Sequence, residues 1–554
     1  MRPTQEQENI IKEEGNLVVN ACPGSGKTFT VSKKIIKIIE ELEDYQGLIA
    51  ISYTNKASRE LKQRCLKESS CVKSSFFGTV HKFIINEIIF KFYRHIISEA
   101  KSELSIENTN KFDEKWNKAN SRSNLSERNE ELWKVVRQMI SEGIIALNKV
   151  PKIALMVLEQ STDCQMYLKS RYKYIFIDEY QDCTDTTHVI FKNIVELGVT
   201  GVAVGDLDQA IFSDSDNLLS LWNDDNYKSL SLSENHRCHE SIVQYSRKLM
   251  DCTYKCNNLL EKRVFQVYVK GNESTASAVF PELIEKYMKK FSINNYNDVA
   301  ILTWSNRTAE FVSDNIGMKH RVFFEGKLDK DNSKWGGIFT KLLDFYFDSI
   351  TPFEFASGYF NEEYEKAEFL ELYNLLKVFK RLSYLELKKS GSIFETIARL
   401  IQPEAYNQEA INLLYETISK DKTLSSYGIA ADDEVQIMTL HKSKGLEFRL
   451  VFHMDLNAWC FPGERGGTNE VSLRNLHYVG LTRAKDAVVL FTTTIRTNSA
   501  LNEQTAYPSK YLYCNELSKL RIDYDRTDGW LEHRLNNESY YKEKVCNLRI
   551  LGNQ

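Results

Sequence analysis

The sequence predicts an α/β protein with two parallel-sheet domains, each interrupted by a mainly helical insertion. Three observations carry this reading. Short apolar strands separated by helical periods run over residues 1–89 and 169–250, and the same texture returns over 251–330 and 432–514, the mark of a layered α/β fold. The stretches 90–168 and 331–431 have helical spacing instead, the first without a strand signal. Finally, an apolar run (Leu17-Val18-Val19) passes through a glycine-rich loop into a helical period (Val31, Ile35, Ile36, Ile39).

That loop, Ala21-Cys22-Pro23-Gly24-Ser25-Gly26-Lys27-Thr28, opens the first domain and has the order strand, glycine-rich turn, helix start that builds a phosphate cradle. Its amides and the helix dipole face an anion, Lys27 adds a mobile positive charge, and Thr28 can hold Mg²⁺. Leu48-Ile49-Ala50-Ile51 reads as the next strand. The insertion 90–168 carries a helical stripe (Leu132, Val135, Val136, Met139, Ile140) and a polar stretch, Asn108 to Asn129, expected to contain a flexible loop. The domain resumes with Tyr174-Ile175-Phe176-Ile177, which ends in Asp178-Glu179-Tyr180-Gln181-Asp182. An acid closing a strand beside a phosphate loop meets the loop's metal, so Asp178 is expected to hold Mg²⁺ and Glu179 to orient or deprotonate an attacking water. The alternative is a solvated acidic turn. Val202-Ala203-Val204 leads into Gly205-Asp206-Leu207-Asp208-Gln209, where Gln209 is placed to sense a γ-phosphate or position water, or to be a plain turn residue.

The second domain begins at 251 with Val299-Ala300-Ile301-Leu302 as a strand, and the insertion 331–431 is aromatic-rich (Phe345, Tyr346, Phe369, Leu372, Leu375, Leu376, Phe379). Val435-Gln436-Ile437-Met438 and Ala487-Val488-Val489-Leu490 are strands of the returning domain, 432–514. The tail 515–554 is mixed in character and suggests no role.

Bulk properties narrow the class. At 554 residues the chain exceeds one ordinary core, and 42% hydrophobic with 27% charged residues is globular composition. No apolar run reaches membrane-spanning length, and Met1-Arg2-Pro3-Thr4-Gln5-Glu6 is not a signal peptide. Eleven cysteines without CxxC pairs suit a reduced, cytoplasmic protein, with Cys252 and Cys256 incidental. A net charge of −4 neither supports nor excludes a nucleic-acid partner, because binding follows where Lys and Arg are placed.

With these motifs in order, the chain resembles superfamily 1A helicases of the UvrD/Rep/PcrA type. Thr4-Gln5-Glu6-Gln7 is similar to the adenine-reading Q motif, with Gln7 the reader. Ile51-Ser52-Tyr53-Thr54-Asn55-Lys56-Ala57 and Gly78-Thr79-Val80-His81-Lys82-Phe83 resemble the next motifs, followed by the Asp178 and Gly205 segments. Glu234-Asn235-His236-Arg237 is similar to the family's Asn-Tyr-Arg motif. Met438-Thr439-Leu440-His441-Lys442-Ser443-Lys444-Gly445-Leu446-Glu447-Phe448 and Tyr478-Val479-Gly480-Leu481-Thr482-Arg483-Ala484-Lys485 complete the series. The resemblance implies two RecA-like domains of the P-loop NTPase type, with ATP and Mg²⁺ between them and movement along single-stranded DNA, usually 3′ to 5′. It implies that Arg237 and Arg483 reach the γ-phosphate from the second domain and the interdomain seam, as arginine fingers do. It places His236 on the adenine and Glu447 on the ribose. On the DNA side it implies aromatic faces at Tyr53 and Phe212, and phosphate or sugar contacts from Thr54, Asn55, Thr79, His81, Thr439 and His441.

The sequence departs from the family after Gln209. Where relatives continue Ser-Ile-Tyr, one further residue, an aromatic and Arg-Gly-Ala, this chain has Ala210-Ile211-Phe212-Ser213-Asp214-Ser215-Asp216. Asp214 and Ser215 replace a stacking ring and an arginine, which predicts a weaker base-by-base ratchet. Phe29 stands where many relatives place an arginine, which loosens the expected preference for ATP. The second insertion is reduced and no nuclease domain is expected in the tail. The compact form resembles the helicase subunit of the Gabija anti-phage system, which works beside an ATPase–nuclease subunit and responds to DNA ends. Three functions stand at this point: a DNA helicase acting alone, a DNA-stimulated NTPase that serves a partner nuclease in defence, and a non-catalytic DNA-binding scaffold.

Overall fold

A computed structural model describes residues 2–52, 55–69, 71–97, 104–107, 109–209, 216–323, 326–331, 333–347, 350–360, 365–458, 470–497 and 502–527. The chain forms two compact units, residues 1–237 and 238–554.

The first unit is a six-stranded parallel sheet. In chain order its strands are β1 (Leu17–Ala21), β2 (Gly47–Ile51), β3 (Phe76–Gly78), β6 (Tyr172–Asp178), β7 (Thr200–Gly205) and β8 (Lys228–Leu232), arranged β3-β2-β6-β7-β1-β8. A two-stranded ribbon, β4 (Ser105–Glu107) with β5 (Ile144–Ala146), lies within the insertion. Two β-strands therefore occur where the sequence showed none, because three-residue pairs are too short to register as alternation. Side chains along the main sheet alternate between two buried faces. Leu17, Val19, Leu48, Ala50, Phe176, Val202 and Val204 pack with Val31, Ile35 and Ile39 of the helix α2 (Lys27–Glu41). Val18, Ile49, Ile51, Ile175, Ile177 and Ala203 pack on the other face, in one core with Leu132, Val136, Met139, Ile153 and Val157 of the insertion. Burial on both faces explains why these strands read as continuous apolar runs.

The second unit holds a seven-stranded parallel sheet of β9 (Val264–Val269), β10 (Val299–Thr303), β11 (His320–Phe323), β12 (Val435–Thr439), β13 (Phe448–His453), β14 (Ala484–Thr493) and β17 (Ile522–Arg526), in the order β11-β12-β10-β13-β14-β9-β17. β15 (Ile495–Thr497) and β16 (Glu503–Thr505) form an antiparallel ribbon. The tail thus contributes an edge strand, β17 beside β9, which its mixed composition concealed. The insertion is helical from Lys334–Phe347 to Asp421–Ser425. It has its own core, including Trp335, Phe339, Phe345, Leu376, Phe379, Phe394 and Leu414.

One expected boundary moves. Helix Glu240–Met250, read as the end of the first domain, belongs to the second unit. Its buried Ile242, Tyr245 and Leu249 face helix Glu470–Leu481 and the segment Cys514–Leu520, and the His239 amide donates to the Lys485 carbonyl at 2.7 Å.

The second unit also buries two histidines in contact. The His453 Nδ1–H donates to the Met454 carbonyl (3.0 Å), leaving His453 Nε2 to accept from His477 Nδ1–H (3.0 Å). Gly480 permits this packing, since a Cβ there would sit 2.8 Å from His453 Cδ2 and 2.6 Å from Leu440 Cδ2. Burial pushes His453 down to about 4 and holds His477 well below its ordinary value, with His453 adding to the latter. Below pH 6.5 the unfolded chain therefore takes up protons that the folded pair refuses, and stability present above that pH is lost as the pH falls toward 4. Between pH 6.5 and 5 His453 accounts for about 2 kcal/mol, and His477 adds a loss in the same direction. Denaturant titrations should show His477→Gln losing less stability than wild type over the interval; parallel losses would refute the assignment.

Candidate functional site: a phosphate loop among carboxylates

The phosphate loop joins β1 to α2, and its two glycines are required by geometry. Gly24 and Gly26 have φ of +72° and +80°, which L side chains rarely adopt. A Cβ on Gly24 would lie 2.4 Å from Arg237 Cβ and 2.9 Å from Asn235 Oδ1, and one on Gly26 would lie 2.6 Å from Gln7 Nε2. Gly26 is also the N-cap of α2 and offers no side-chain oxygen, so the first-turn amides are left to an anion. The Ser25 hydroxyl, 2% exposed, has no hydrogen-bond partner among the described residues. A buried donor of that kind inside a ring of amides suits phosphate oxygens.

Two outside elements hold the loop. The helix α1 (Gln5–Lys12) begins with a capping box in which the Thr4 amide donates to Gln7 Oε1 (3.1 Å) and the Gln7 amide to Thr4 Oγ1 (3.3 Å). Gln7 Nε2 then donates to the Ser25 carbonyl at 3.0 Å. Gln7, expected to read adenine, thus makes one hydrogen bond to protein at each end of its side-chain amide, ties α1 to the loop and is 4% exposed. On the other side, the Cys22 amide donates to the Leu232 carbonyl (3.0 Å) and the His236 amide to the Gly24 carbonyl (2.9 Å).

The strand order β6-β7-β1 sets the chemistry, because three neighbouring strands end at one edge and each delivers a polar group there. Lys27 Nζ lies 2.9 Å from Glu179 Oε1 and 4.0 Å from Asp178 Oδ1. Glu179 sits at φ +55°, a left-handed conformation costly for a non-glycine residue and typical of functional sites. Its Oε2 accepts from Gln181 Nε2 (2.6 Å), and Gln181 Oε1 accepts from the Asp206 amide (3.1 Å). Asp206 Oδ2 accepts from Gln209 Nε2 at 2.9 Å. Lys27, Glu179, Gln181, Asp206 and Gln209 thus form one connected network.

Its electrostatics are unbalanced. Burial, then the neighbouring Asp208, pushes the Asp206 carboxyl up to about 7, with Lys27 opposing. Burial and Glu179 likewise raise Asp178. Burial would lower Lys27, but Glu179 and Asp178 outweigh it and hold the ammonium above its ordinary value. Three acids facing one lysine make a site that favours a further cation. Among the described residues no group of three or more His, Cys, Asp or Glu could hold a metal ion unaided. Thr28 on α2 and Asp178 would therefore hold Mg²⁺ only together with a phosphate ligand.

The other expected residues are placed as follows. His236 presents an exposed ring beside the loop, its Nδ1 3.9 Å from Glu234 Oε1. Arg237 is carried by the first unit, not the second, and follows β8 with its amide on Asn235 Oδ1 (2.8 Å). Arg483, expected as a projecting finger, is 3% exposed inside the second unit. Its guanidinium donates to the carbonyls of Val479 (3.1 Å) and Leu446 (3.3 Å) and to Thr482 Oγ1 (3.4 Å). Glu447 is exposed and pairs with Lys485 at 3.1 Å. Thr79 and Thr439 play the same local part at the ends of β3 and β12. Each hydroxyl accepts from the amide three residues on (Lys82, 3.4 Å; Lys442, 3.3 Å), and each is followed by an exposed histidine, His81 and His441. Tyr53, Thr54 and Phe212 lie outside the described residues, as does the Asn55 side chain. Sequence reasoning missed Gln181, Asp206 and Asn235 as parts of the site; all three lie in quoted motifs, but only burial and pairing reveal what they do.

The signature of the UvrD/REP helicase N-terminal domain matches residues 3–111 and 87–224, and that of the UvrD-like helicase C-terminal domain matches residues 352–495. The chain belongs to the UvrD/Rep helicase family. It is 26% identical to the Gabija protein GajB of Bacillus cereus (strain VD045), over 87% of this chain and 94% of that one. It is 22% identical to the ATP-dependent DNA helicase PcrA of Bacillus subtilis (strain 168), over 90% and 83% of the two chains. It is 23% identical to a probable DNA helicase II homolog of Mycoplasma capricolum, over 90% and 85%. The two parallel sheets are accordingly the RecA-like domains of a UvrD-type helicase.

Two predictions follow from the geometry. Because Gln7 holds the Ser25 carbonyl, Gln7→Ala should weaken ATP and GTP alike, by about tenfold for one lost hydrogen bond with its partner stranded. Loss of ATP affinity alone, measured by equilibrium binding, would restore the adenine-reading role. Because protons on Asp178 and Asp206 compete with a cation, Mg²⁺–nucleotide affinity should fall by about tenfold as pH drops from 8 to 6. Nucleotide binding in EDTA should not fall with it; identical pH profiles would refute the competition.

Proposed function

We propose that this chain is an ATP-dependent motor that moves along single-stranded DNA in the 3′ to 5′ direction and separates duplex ahead of it. The observation that carries the reading is the Lys27–Glu179–Gln181–Asp206–Gln209 network at the carboxyl edge of the first sheet. Binding of a triphosphate would draw Lys27 from Glu179 onto phosphate oxygens, leaving Glu179 Oε1 to take a proton from water. Mg²⁺, held by Thr28 and Asp178 with the phosphates, would neutralise developing charge. Gln209 would pass the state of the site through Asp206 and Gln181 to Glu179. Arg237 beside Gly24 would add positive charge, and Arg483 would do so once its carbonyl partners were exchanged for phosphate. Thr79, His81, Thr439 and His441 would meet the strand's backbone.

A second reading follows from the 26% identity to GajB across nearly all of that protein's length. Here the chain is a DNA-stimulated NTPase that responds to DNA ends and serves an ATPase–nuclease partner in anti-phage defence, working in the cytoplasm. Among the described residues no helix is long and apolar enough to cross a membrane.

Steady-state ATPase with and without single-stranded DNA, beside unwinding of 3′- and 5′-tailed duplexes, separates the two. The motor requires DNA-stimulated turnover and separation of the 3′-tailed duplex. Glu179→Gln should lower kcat by about 100-fold or more while nucleotide affinity stays within a few fold. Strong ATPase without unwinding at any tail length favours the partner-serving NTPase, and turnover near zero with saturating DNA rejects both.

A further inference from the structure

The second unit carries an aromatic side chain that the motif series passed over. Trp304 directly follows β10, whose neighbours are β12 and β13. Its backbone is held by neighbouring segments. The Leu440 amide donates to the Thr303 carbonyl (2.9 Å), and Thr303 Oγ1 to the Ser305 carbonyl (3.0 Å). The Trp304 amide donates to Asp455 Oδ2 at 2.7 Å. Asp455, 2% exposed and at φ +65°, is ion-paired with Arg496. Arg496 Nε lies 3.2 Å from Glu273 Oε1, and that carboxylate accepts from the Thr497 amide. A buried triad of charges is thus spent on one stretch of backbone. The indole it anchors is only partly buried and lies 6.1 Å, centre to centre, from the ring of exposed His441, tilted by 60°.

We propose that Trp304 is a base-stacking platform for single-stranded nucleic acid, with His441 beside it on the sugar–phosphate chain. The inference rests on the DNA-motor reading and deepens it. Two features support it. The ring stands at the carboxyl ends of parallel strands, where α/β sheets take their ligands. Holding the backbone that carries the ring lowers the ordering cost of binding. Stacking accepts any base, which suits a protein that must move regardless of sequence.

The test uses the full chain and fluorescein-labelled strands of equal length, one oligo-dT and one abasic, titrated by anisotropy at several salt concentrations. Trp304→Ala should weaken dT binding about five- to a hundredfold. It should leave the slope of log affinity against log salt unchanged, because no charge is removed. It should bind the abasic strand as wild type does, and Trp304→Tyr should recover most of the loss, with melting curves of both variants checking the fold. Unchanged dT binding, or equal losses on both strands, overturns the platform while leaving the motor reading intact. Wild-type protein that binds neither strand overturns the motor reading and the platform with it.

Discussion

A lysine held among three carboxylates governs how the first unit is built. Lys27 faces Asp178 and Glu179 from the end of β6 and Asp206 from the end of β7. This arrangement demands a parallel sheet, since only parallel strands bring several carboxyl ends to one edge. It also demands β6, β7 and β1 as neighbours and covered faces on both sides, so that water does not screen the charges. Burial raises Asp178 and Asp206, and their proximity keeps Lys27 charged. The site is organised for a cation and an anion together, which is the charge pattern of a metal-bound triphosphate.

The two insertions solve different packing problems. The first shares a core with one face of its sheet, so it is part of the same folded body. A π-helix, Ile84–Ile89, follows the Thr79–Phe83 segment and carries Glu87, whose Oε2 accepts from Tyr167 (2.5 Å) and Tyr172 (2.9 Å). Tyr172 begins β6, and β6 ends in Asp178. The strand that ends in Asp178 is therefore tied at its start to the helix that follows His81, and π-helical turns tend to mark functional positions. The second insertion has its own core, separate from that of its sheet.

Much of the molecule was legible because its signals are local. Runs such as Leu48–Ile51 and Val299–Leu302 are apolar enough to be read as buried strands, and both are. Gly24 and Gly26 announce a turn that only glycine makes, and Lys27 and Thr28 follow at fixed offsets. Strand-end acids at Asp178 and Glu179 could be placed beside the loop because parallel-sheet topology permits few alternatives.

What only the tertiary structure decided concerns partners distant in sequence. Gln7 carries a motif, yet which groups its amide satisfies depends on Ser25 arriving beside it. Arg483 carries the same charge in any conformation, but its burial against Val479 and Leu446 is set by the packing of helix Glu470–Leu481. The strand β17, the membership of helix Glu240–Met250 and the anchoring of Trp304 by Asp455 arise likewise from segments that meet only on folding. Sequence by itself determined the family, the central apolar strands of both sheets and the identity of the charged groups, because periodicity and glycine geometry act over a few residues. Which donor meets which acceptor, and which carboxyl loses its water, is a sum over all neighbours in space, and that sum exists only in the folded chain.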